Sequence, residues 1–355
     1  MLEVRGLTAS FGSFTLKDIS FRAEANDYTV LLGPCGAGKT KLLEVISGVA
    51  PHSSGQVFVD ERDMTKRPPE TRHIGLIYQK GYLFPHLSIK KNIAYGLQYV
   101  SISDEEKRER MRWIIDLLDI YYLMRRSSPR NLSGGEQQKI ILARALILKP
   151  SLLLMDEPFA SLDFSSREEL FSAFKILQQE HDITILHVTH DREEASVLSD
   201  RILFLWNGRL LQQSSFQDLI SSPKSYEVVR FLGLKSILSG TVKNGTFAAR
   251  RCDETFTLPA PGRPDGPGYV YIPADAVSLE PGGTKSELKN TDTVRISGRL
   301  RLLLERDGRI MAEVQLGKQT LTAPLSKEES ETVRLGDTVT CLVSLSGIVF
   351  LDTSL

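Results

Sequence analysis

Cysteine is scarce in this 355-residue chain. Cys35, Cys252 and Cys341 are too few and too widely spaced for a disulfide framework or a metal site, and such sparing use fits a reducing cytoplasm. Neither charge is in excess, with 44 Lys plus Arg against 44 Asp plus Glu. A net charge of zero leaves no basic footprint for a phosphate backbone, and no nucleic-acid partner is expected. Long apolar runs are missing as well. No stretch reaches the roughly 18 apolar residues of a membrane span, and Met1-Leu2-Glu3-Val4-Arg5-Gly6 lacks the apolar centre of a secretion signal. If the protein serves a membrane process, another chain supplies the membrane part. At about 150 residues per domain, the length fits two domains.

Glycine is concentrated where it matters most. Gly33-Pro34-Cys35-Gly36-Ala37-Gly38-Lys39-Thr40 fits G-x-x-x-x-G-K-[ST], between an apolar strand, Tyr28 to Leu32, and the opening of a helix, Lys41 to Ile46. A strand, a glycine-rich turn and a helix N-terminus make an anion site, because free backbone N–H groups and the helix dipole point the same way. Lys39 is expected to reach the β- and γ-phosphates of a nucleotide, and the Thr40 hydroxyl to take Mg²⁺. Cys35 has two readings, a packed small residue or a redox thiol beside Lys39.

The chain before this loop, residues 1 to 25, reads as two antiparallel strands around Phe11-Gly12-Ser13, and Phe11 or Phe14 either stacks on a nucleotide base or is a core aromatic. After it, Gln56 to Asp60 and Ile74 to Tyr78 read as strands, the second delivering Gln79 to metal or water at its carboxyl end. Residues 80 to 131 change to a charged helical insertion. Ser103 and Glu106 form a capping box there, Trp113, Leu117 and Leu118 an apolar stripe, and Arg125-Arg126 a solvated face. A second capping box, Ser133 with Glu136 in Leu132-Ser133-Gly134-Gly135-Glu136, opens a helix with Ile141, Ala145 and Leu148 on one face, and its N-terminus is also able to hold a phosphate. Leu152 to Met155 is a buried parallel strand ending in Asp156, for Mg²⁺, and Glu157, to orient or deprotonate water. Ser161-Leu162-Asp163 follows, and the strand Ile183 to Val188 leads to His190, expected on a γ-phosphate.

Asn207-Gly208 marks a hairpin between Ile202 to Leu205 and Leu210-Leu211, and residues 214 to 233 read as helix interrupted at Ser221-Ser222-Pro223. From about residue 235 the pattern turns to short strands, suggesting a small barrel or sandwich. Leu300, Leu302 and Leu304 face one way, Asp307-Gly308 turns, and Ile310, Ala312, Val314 and Leu316 follow; residues 259 to 268, rich in Pro and Gly, read as a loop. Leu238-Ser239-Gly240-Thr241-Val242 echoes Ile296-Ser297-Gly298-Arg299-Leu300, hinting at two related halves.

GPCGAGKT, Gln79, LSGGE, LLLMDE, SLD and His190, in that order, resemble the ATP-binding subunit of ATP-binding cassette (ABC) transporters over residues 1 to 232. The resemblance implies an α/β P-loop NTPase fold with a helical insertion at about 80 to 131. It also implies a head-to-tail homodimer in which ATP and Mg²⁺ lie between one copy's phosphate loop, Gly33 to Thr40 with Phe11, and the other's Ser133, Gly134, Gly135 and Asp163. Thr40, Gln79 and Asp156 would hold the metal, and Glu157, Gln79 and His190 would act in hydrolysis. The insertion, around Tyr82 to Asn92, would receive a helix of a membrane permease, which an extracytoplasmic substrate-binding protein serves. That places the chain at the cytoplasmic face of the membrane. Residues 233 to 355 resemble the all-β, OB-like regulatory domain (TOBE/mop type) of importer ATPases, with molybdate/tungstate importers most similar; ferric ion, sulfate, polyamine or sugar import, and a soluble ABC ATPase, are the alternatives. The tail departs from that pattern. Asn290-Thr291-Asp292-Thr293-Val294 stands where a Ser-x-Arg-Asn run is usual, leaving Thr291, Thr293, Arg295, Ser344 and Ser346 as candidate oxyanion donors.

Overall fold

The structure, a computed structural model, describes residues 1–79, 81–160, 162–249, 257–280, 292–306 and 309–352; Ser161, Cys252, Asn290, Thr291 and the Asp307-Gly308 turn lie outside the described residues. The chain divides into two compact units, Met1–Phe216 and Gln217–Leu355.

In the first unit, β1 (Leu2–Phe11) and β2 (Phe14–Ala23) are an antiparallel pair. β3 (Tyr28–Leu32) runs into α1 (Lys39–Ser47), and β4 (Ser54–Val59) and β5 (Arg62–Asp63) return to complete an antiparallel sheet of order β2-β1-β4-β5. β6 (Ile74–Ile77) precedes the helical stretch α2 (Ile89–Ala94), α3 (Asp104–Leu117) and α4 (Gly134–Leu146). Then come β7 (Leu152–Asp156), α5 (Phe164–Glu180), β8 (Thr184–Thr189), α6 (Arg192–Leu198) and the hairpin β9 (Arg201–Trp206) to β10 (Arg209–Ser214). The second sheet has the order β10-β9-β3-β8-β7-β6, parallel throughout except for β10. Every residue of β3, β7 and β8 is buried, as the unbroken apolar runs require of parallel strands covered on both faces. Their register pairs Leu32 with Thr189, Asp156 with Val188 and Ile77 with Met155, so the loops after β3, β6, β7 and β8 leave one edge together.

A core shared by the two sheets holds α1 through Leu42, Leu43, Val45 and Ile46. The far end of α1 is closed by Arg72, 4% exposed, whose guanidinium donates to Ile46 O at 2.6 Å, Arg67 O at 2.8 Å and Val45 O at 3.3 Å. A cation on the last carbonyls complements the helix dipole, and charge-assisted bonds of this kind contribute about 1.5–3 kcal/mol each.

Some local expectations for this unit need correction. Ser103 caps α3, but Glu106 gives its carboxylate to Arg110 at 2.7 Å in place of the reciprocal capping bond. Ser133 and Glu136 do form a complete box. Leu148 falls beyond the end of α4 and is 39% exposed, so it shares no buried face with Ile141. Arg126 is exposed yet committed, holding Glu136 at 3.1 Å. At the β9–β10 turn Asn207 and Gly208 have φ of 45° and 75°, the two left-handed positions of the expected hairpin turn.

The second unit begins within α7 (Phe216–Ser221) and continues through α8 (Tyr226–Phe231) into an all-antiparallel β structure. The strands are β11 (Ile237–Lys243), β12 (Thr246–Ala249), β13 (Thr257–Pro259), β14 (Gly266–Tyr271) and β15 (Val277–Glu280). They continue with β16 (Thr293–Arg306), β17 (Arg309–Leu316), β18 (Gln319–Leu325), a short α9 (Lys327–Thr332), β19 (Thr338–Ser344) and β20 (Val349–Leu351). The two sheets are ordered β13-β12-β11-β14-β20 and β15-β19-β16-β17-β18. Each half is a three-strand meander with its fourth strand on the other side of the first. The fifth strand of each half, β15 or β20, crosses to the sheet of the other half. The weak sequence echo is thus a topological repeat. Its two glycines sit on equivalent first strands, where a Cβ on Gly240 would meet Ala248 O at 2.3 Å and one on Gly298 would meet Val314 Cγ1 at 2.5 Å. Buried residues of both halves, Leu238, Val270, Ile296 and Val339 among them, share one core.

The leucine alternation on β16 is broken. A register shift between Leu300 and Leu302 turns the strand over, so Leu300 is buried, Leu303 packs on the core, and Leu302 and Leu304 are 37% and 42% exposed. β14 starts at Gly266, so the Pro/Gly-rich segment 259 to 268 is not loop throughout.

Candidate active site

The loop from Gly33 to Gly38 closes onto α1 with Gly38 at φ 101°, and a Cβ on Gly38 would lie 2.4 Å from the Phe14 ring. Only glycine satisfies both the left-handed backbone and the aromatic floor. Lys39 is 6% exposed and folds back to donate to Gly33 O at 2.8 Å and Pro34 O at 3.1 Å. Burial holds its ammonium below the usual lysine value, opposed by the charges of Glu157, Cys35 and Asp156.

Thr40 Oγ1 donates to Asp156 Oδ2 at 2.9 Å. Burial, first of all, raises the Asp156 carboxyl above its usual value; the Thr40 hydrogen bond pulls the other way and the charge of Glu157 adds to the rise. One hydroxyl and one carboxylate oxygen, adjacent and facing the cleft edge of β7, are the hard oxygen donors that Mg²⁺ takes when phosphate and water fill its other positions. Glu157 stands at φ 45°, an uncommon left-handed conformation for a carboxylate residue. Its N–H donates to Val188 O at 2.9 Å, which turns the side chain out of the sheet. Gln79 Nε2 donates to Glu157 Oε2 at 3.3 Å, and His190 Nδ1 lies 2.9 Å from Glu157 Oε1. Gln79, Glu157 and His190, from three different strand ends, therefore form one hydrogen-bonded set.

A cleft of about 490 Å³ is lined by Phe11, Phe14, Cys35, Gly36, Gly38, Lys39, Thr40, Lys41 and Glu157. Phe11 and Phe14 divide the two sequence-level options between them, since Phe14 lies under Gly38 while Phe11 lies beneath the Lys41 ammonium, 5.2 Å from its ring centre. Cys35 is exposed on the cleft, so it is not a packed small residue as one reading had it. Lys41 was missed at the sequence level, although its place after Lys39-Thr40 was a usable signal. Arg72 carried no local signal, because what gives it a role is the carbonyls of Val45 and Ile46, far back along the chain.

Ser133, Gly134, Gly135 and Asp163 do not line this cleft among the described residues. Gly135 and Asp163 instead converge on Ser166. Asp163 caps α5 by accepting from Ser166 N at 3.0 Å, and a Cβ on Gly135 would lie 2.9 Å from Ser166 Oγ. The capped N-terminus of α4 and the start of α5 thus meet through Gly135 and Ser166 in the same unit. In the tail, Thr293 pairs with Ser344, Ser344 Oγ lies 2.9 Å from Ser346 Oγ, and Arg295 is ion-paired with Glu280 at 3.3 Å.

Residues 16–160 match the family model described as ABC transporter. The molybdate/tungstate import ATP-binding protein WtpC of Pyrococcus horikoshii is 39% identical over 84% of this chain and 85% of its own length. The Fe(3+) ions import ATP-binding protein FbpC of Escherichia coli is 35% identical over 81% of this chain and 82% of its own. A solved dimeric ATP-binding cassette in a post-hydrolysis state with ADP and Pi superposes with a TM-score of 0.55 at 26% identity, covering 61% of this chain and 99% of that one. Nucleotide-loop geometry, the Asp156–Glu157 strand end and these likenesses together establish that the chain belongs to the ABC transporter family, as an ATP-hydrolysing importer subunit.

Proposed function

We propose that this chain powers uptake of molybdate or tungstate by hydrolysing ATP at the interface of a homodimer docked on a membrane permease. The single observation that carries the hydrolytic part is the Gln79–Glu157–His190 set beside the Lys39–Thr40 loop. Lys39, held on its own loop carbonyls, exchanges them for phosphate oxygens, and the backbone N–H groups at the start of α1 take the rest of the anion. Thr40 and Asp156, together with Gln79, are the residues that would hold Mg²⁺, which would offset the charge of the phosphates. Glu157 orients the attacking water and draws off its proton. His190, hydrogen-bonded to Glu157, fixes that carboxylate and contacts the γ-phosphate; Phe11 stacks on the base. Ser133, Gly134, Gly135 and Asp163 complete the site on the partner copy's ATP, a reading supported by their separation from the cleft within one copy and by the dimeric solved relative.

The cargo reading rests on the WtpC likeness, which extends over most of both chains. No helix among the described residues is long and apolar enough to cross a membrane, consistent with a peripheral subunit held on the cytoplasmic face by a permease that an extracytoplasmic binding protein supplies. Among the described candidates, the Ser344 and Ser346 hydroxyls are paired with each other and Arg295 with Glu280, which favours a dimer-forming role for the tail over oxyanion sensing. Metal uptake in cells carrying Glu157→Gln in place of the native chain tests the cargo. Molybdate and tungstate accumulation is expected to fall to background while iron and polyamine uptake stay unchanged. Loss of ferric ion uptake with molybdate intact would transfer the reading to the FbpC-like cargo.

A further inference from the structure

Behind the strand end that delivers His190 lies a buried polar cluster that hydrolysis, as described, does not use. His187 is fully buried in the middle of β8, where the neighbouring positions are apolar. Its Nε2 lies 3.2 Å from Glu194 Oε2 on α6, and its Nδ1 lies 3.2 Å from the Tyr28 hydroxyl on β3. Glu194 is 2% exposed and Tyr28 fully buried. Phe159 stands perpendicular to the imidazole with centroids 5.3 Å apart, and Phe174 packs edge-on to Tyr28 and Phe159. An aromatic hydrocarbon would fill this space without desolvating anything. A carboxylate and an imidazole in apolar surroundings persist only through each other, because an unpaired charge there is strongly unfavourable. Among the described residues neither Nε2 nor Oε2 has an aligned hydrogen bond at this 3.2 Å separation, so the two polar ends are held facing one another by the packing of β8 and α6 around them.

The cluster touches both catalytic loops. His187 on β8 precedes His190, the first residue after the strand, by three, Glu194 follows it by four across the turn, and Phe159 follows Glu157 by two. Val188, next to His187, gives its carbonyl to Glu157 N. On the outer side of the same turn Arg167 holds Asp191 at 3.2 Å, so the turn bearing His190 is pinned from inside and outside.

We propose that His187 and Glu194 are positioning residues for ATP hydrolysis: their buried pairing fixes the turn between β8 and α6, and so holds His190 within hydrogen-bond reach of Glu157. The inference rests on the proposed roles of Glu157 and His190. The Tyr28 hydroxyl and the Phe159 ring face His187, and Phe174 packs behind both. Loss of either partner should therefore release His190 without disturbing Lys39, Thr40 or nucleotide binding.

Steady-state ATPase kinetics of the purified full-length protein test this with His187→Gln, Glu194→Gln and the double variant. Glu194→Gln keeps the shape and removes the charge. It is expected to lower kcat about tenfold, with KM and the stoichiometry of ATP binding unchanged. The double variant should be no worse than the weaker single, since a pair can be broken only once. Losses that multiply, or a kcat within twofold of wild type in Glu194→Gln, would overturn the proposal. Should Glu194→Gln fail to fold, Tyr28→Phe removes only the hydroxyl on Nδ1 and is expected to lower kcat two- to fivefold at constant KM; no change would overturn it equally. Glu157→Gln run alongside separates the two readings: if it retains turnover, the catalytic assignment fails, whereas turnover lost in Glu157→Gln and kept in Glu194→Gln sinks the positioning role alone.

Discussion

In the first unit, unfavourable features collect at one sheet edge: a lysine buried on backbone carbonyls, a desolvated Asp156 with its carboxyl raised, and Glu157 in a left-handed conformation. In the second, strand-end polar groups are matched to neighbours, Arg295 to Glu280, Lys235 to Glu313, Ser236 to Thr322, and repetition does the organising. A fold retains local strain and desolvation only where something offsets it, and in the first unit a phosphate ligand does so. Ser236 is left-handed as well, at φ 65°, but its hydroxyl is partnered by Thr322 and no desolvated charge accompanies it. The second unit's positions are fixed by packing across the two halves, where any residue of suitable shape serves. The contrast separates a unit selected for a reaction from one selected for shape.

The largest test strikes the strained edge. Glu157→Gln should cut kcat by on the order of 10³-fold while ATP still binds, because general-base chemistry contributes about 10²–10⁴-fold and Asp156 remains for the metal. A rate within a few-fold of wild type would remove Glu157 from the chemistry. Lys39→Ala should act differently, weakening ATP affinity itself by about tenfold or more through loss of a charge-assisted contact. Isothermal titration with ATP distinguishes the two.

The second test asks whether the first unit's site is complete in one copy. With Glu157→Gln and ATP, size-exclusion chromatography should show a dimer, and adding Ser133→Arg should abolish it while ATP affinity of the monomer stays the same. Ser133 caps α4 on a surface apart from the cleft, so a dimer that persists would mean the α4 N-terminus does not meet the partner's nucleotide.

The third test strikes the repeat. Gly298→Val drives a side chain into Val314 and Leu316, at 2.5 and 2.7 Å from its Cβ, and should destabilise the second unit by about 1–3 kcal/mol, the usual effect of overpacking. Gly240→Val should behave the same way against Phe247. ATP affinity should not change in either. Two glycines with unequal effects would mean the halves are alike in topology but not in packing.

Legibility follows the same division. Gly33 to Thr40, Asp156, Glu157 and His190 were readable because phosphate chemistry allows few residue types at fixed spacing, and the buried parallel strands announced themselves as apolar runs. Phe14 beneath Gly38 and the Arg72 closure of α1 were not readable, since each joins segments distant in sequence through contacts that many residues could make, and the His187–Glu194 pair was not readable because it depends on how a strand turns into the next helix. The alternation on β16 misled because a bulge adds one residue without a local signature, turning Leu302 and Leu304 outward. The echo between the halves was visible, but the exchange of β15 and β20 depends on pairing that no short motif encodes.

The smallest expected effect probes the imbalance directly. Burial raises the Asp156 carboxyl above its value in an unfolded chain, about 3.8, with the charge of Glu157 adding to the rise and the Thr40 hydrogen bond only partly opposing it. A raised acid contributes stability that is complete below the unfolded-state value and is lost as pH climbs through the folded one. At neutral pH the ionised Asp156 therefore opposes folding of the nucleotide-free protein relative to an aspartate in water. Asp156→Asn removes that charge while keeping an acceptor for Thr40. It should raise the melting temperature of the nucleotide-free protein at pH 7 by about 2 °C, a shift of the size that a fraction of a kcal/mol to about 1 kcal/mol produces in a chain of this length. The difference should shrink as pH falls through the carboxylate range and the native side chain takes up its proton, while Mg²⁺-dependent hydrolysis is lost throughout. A melting point lowered at neutral pH, or a difference that does not change with pH, would show that Asp156 is not held at an electrostatic disadvantage, and the contrast between the two units would lose its clearest member.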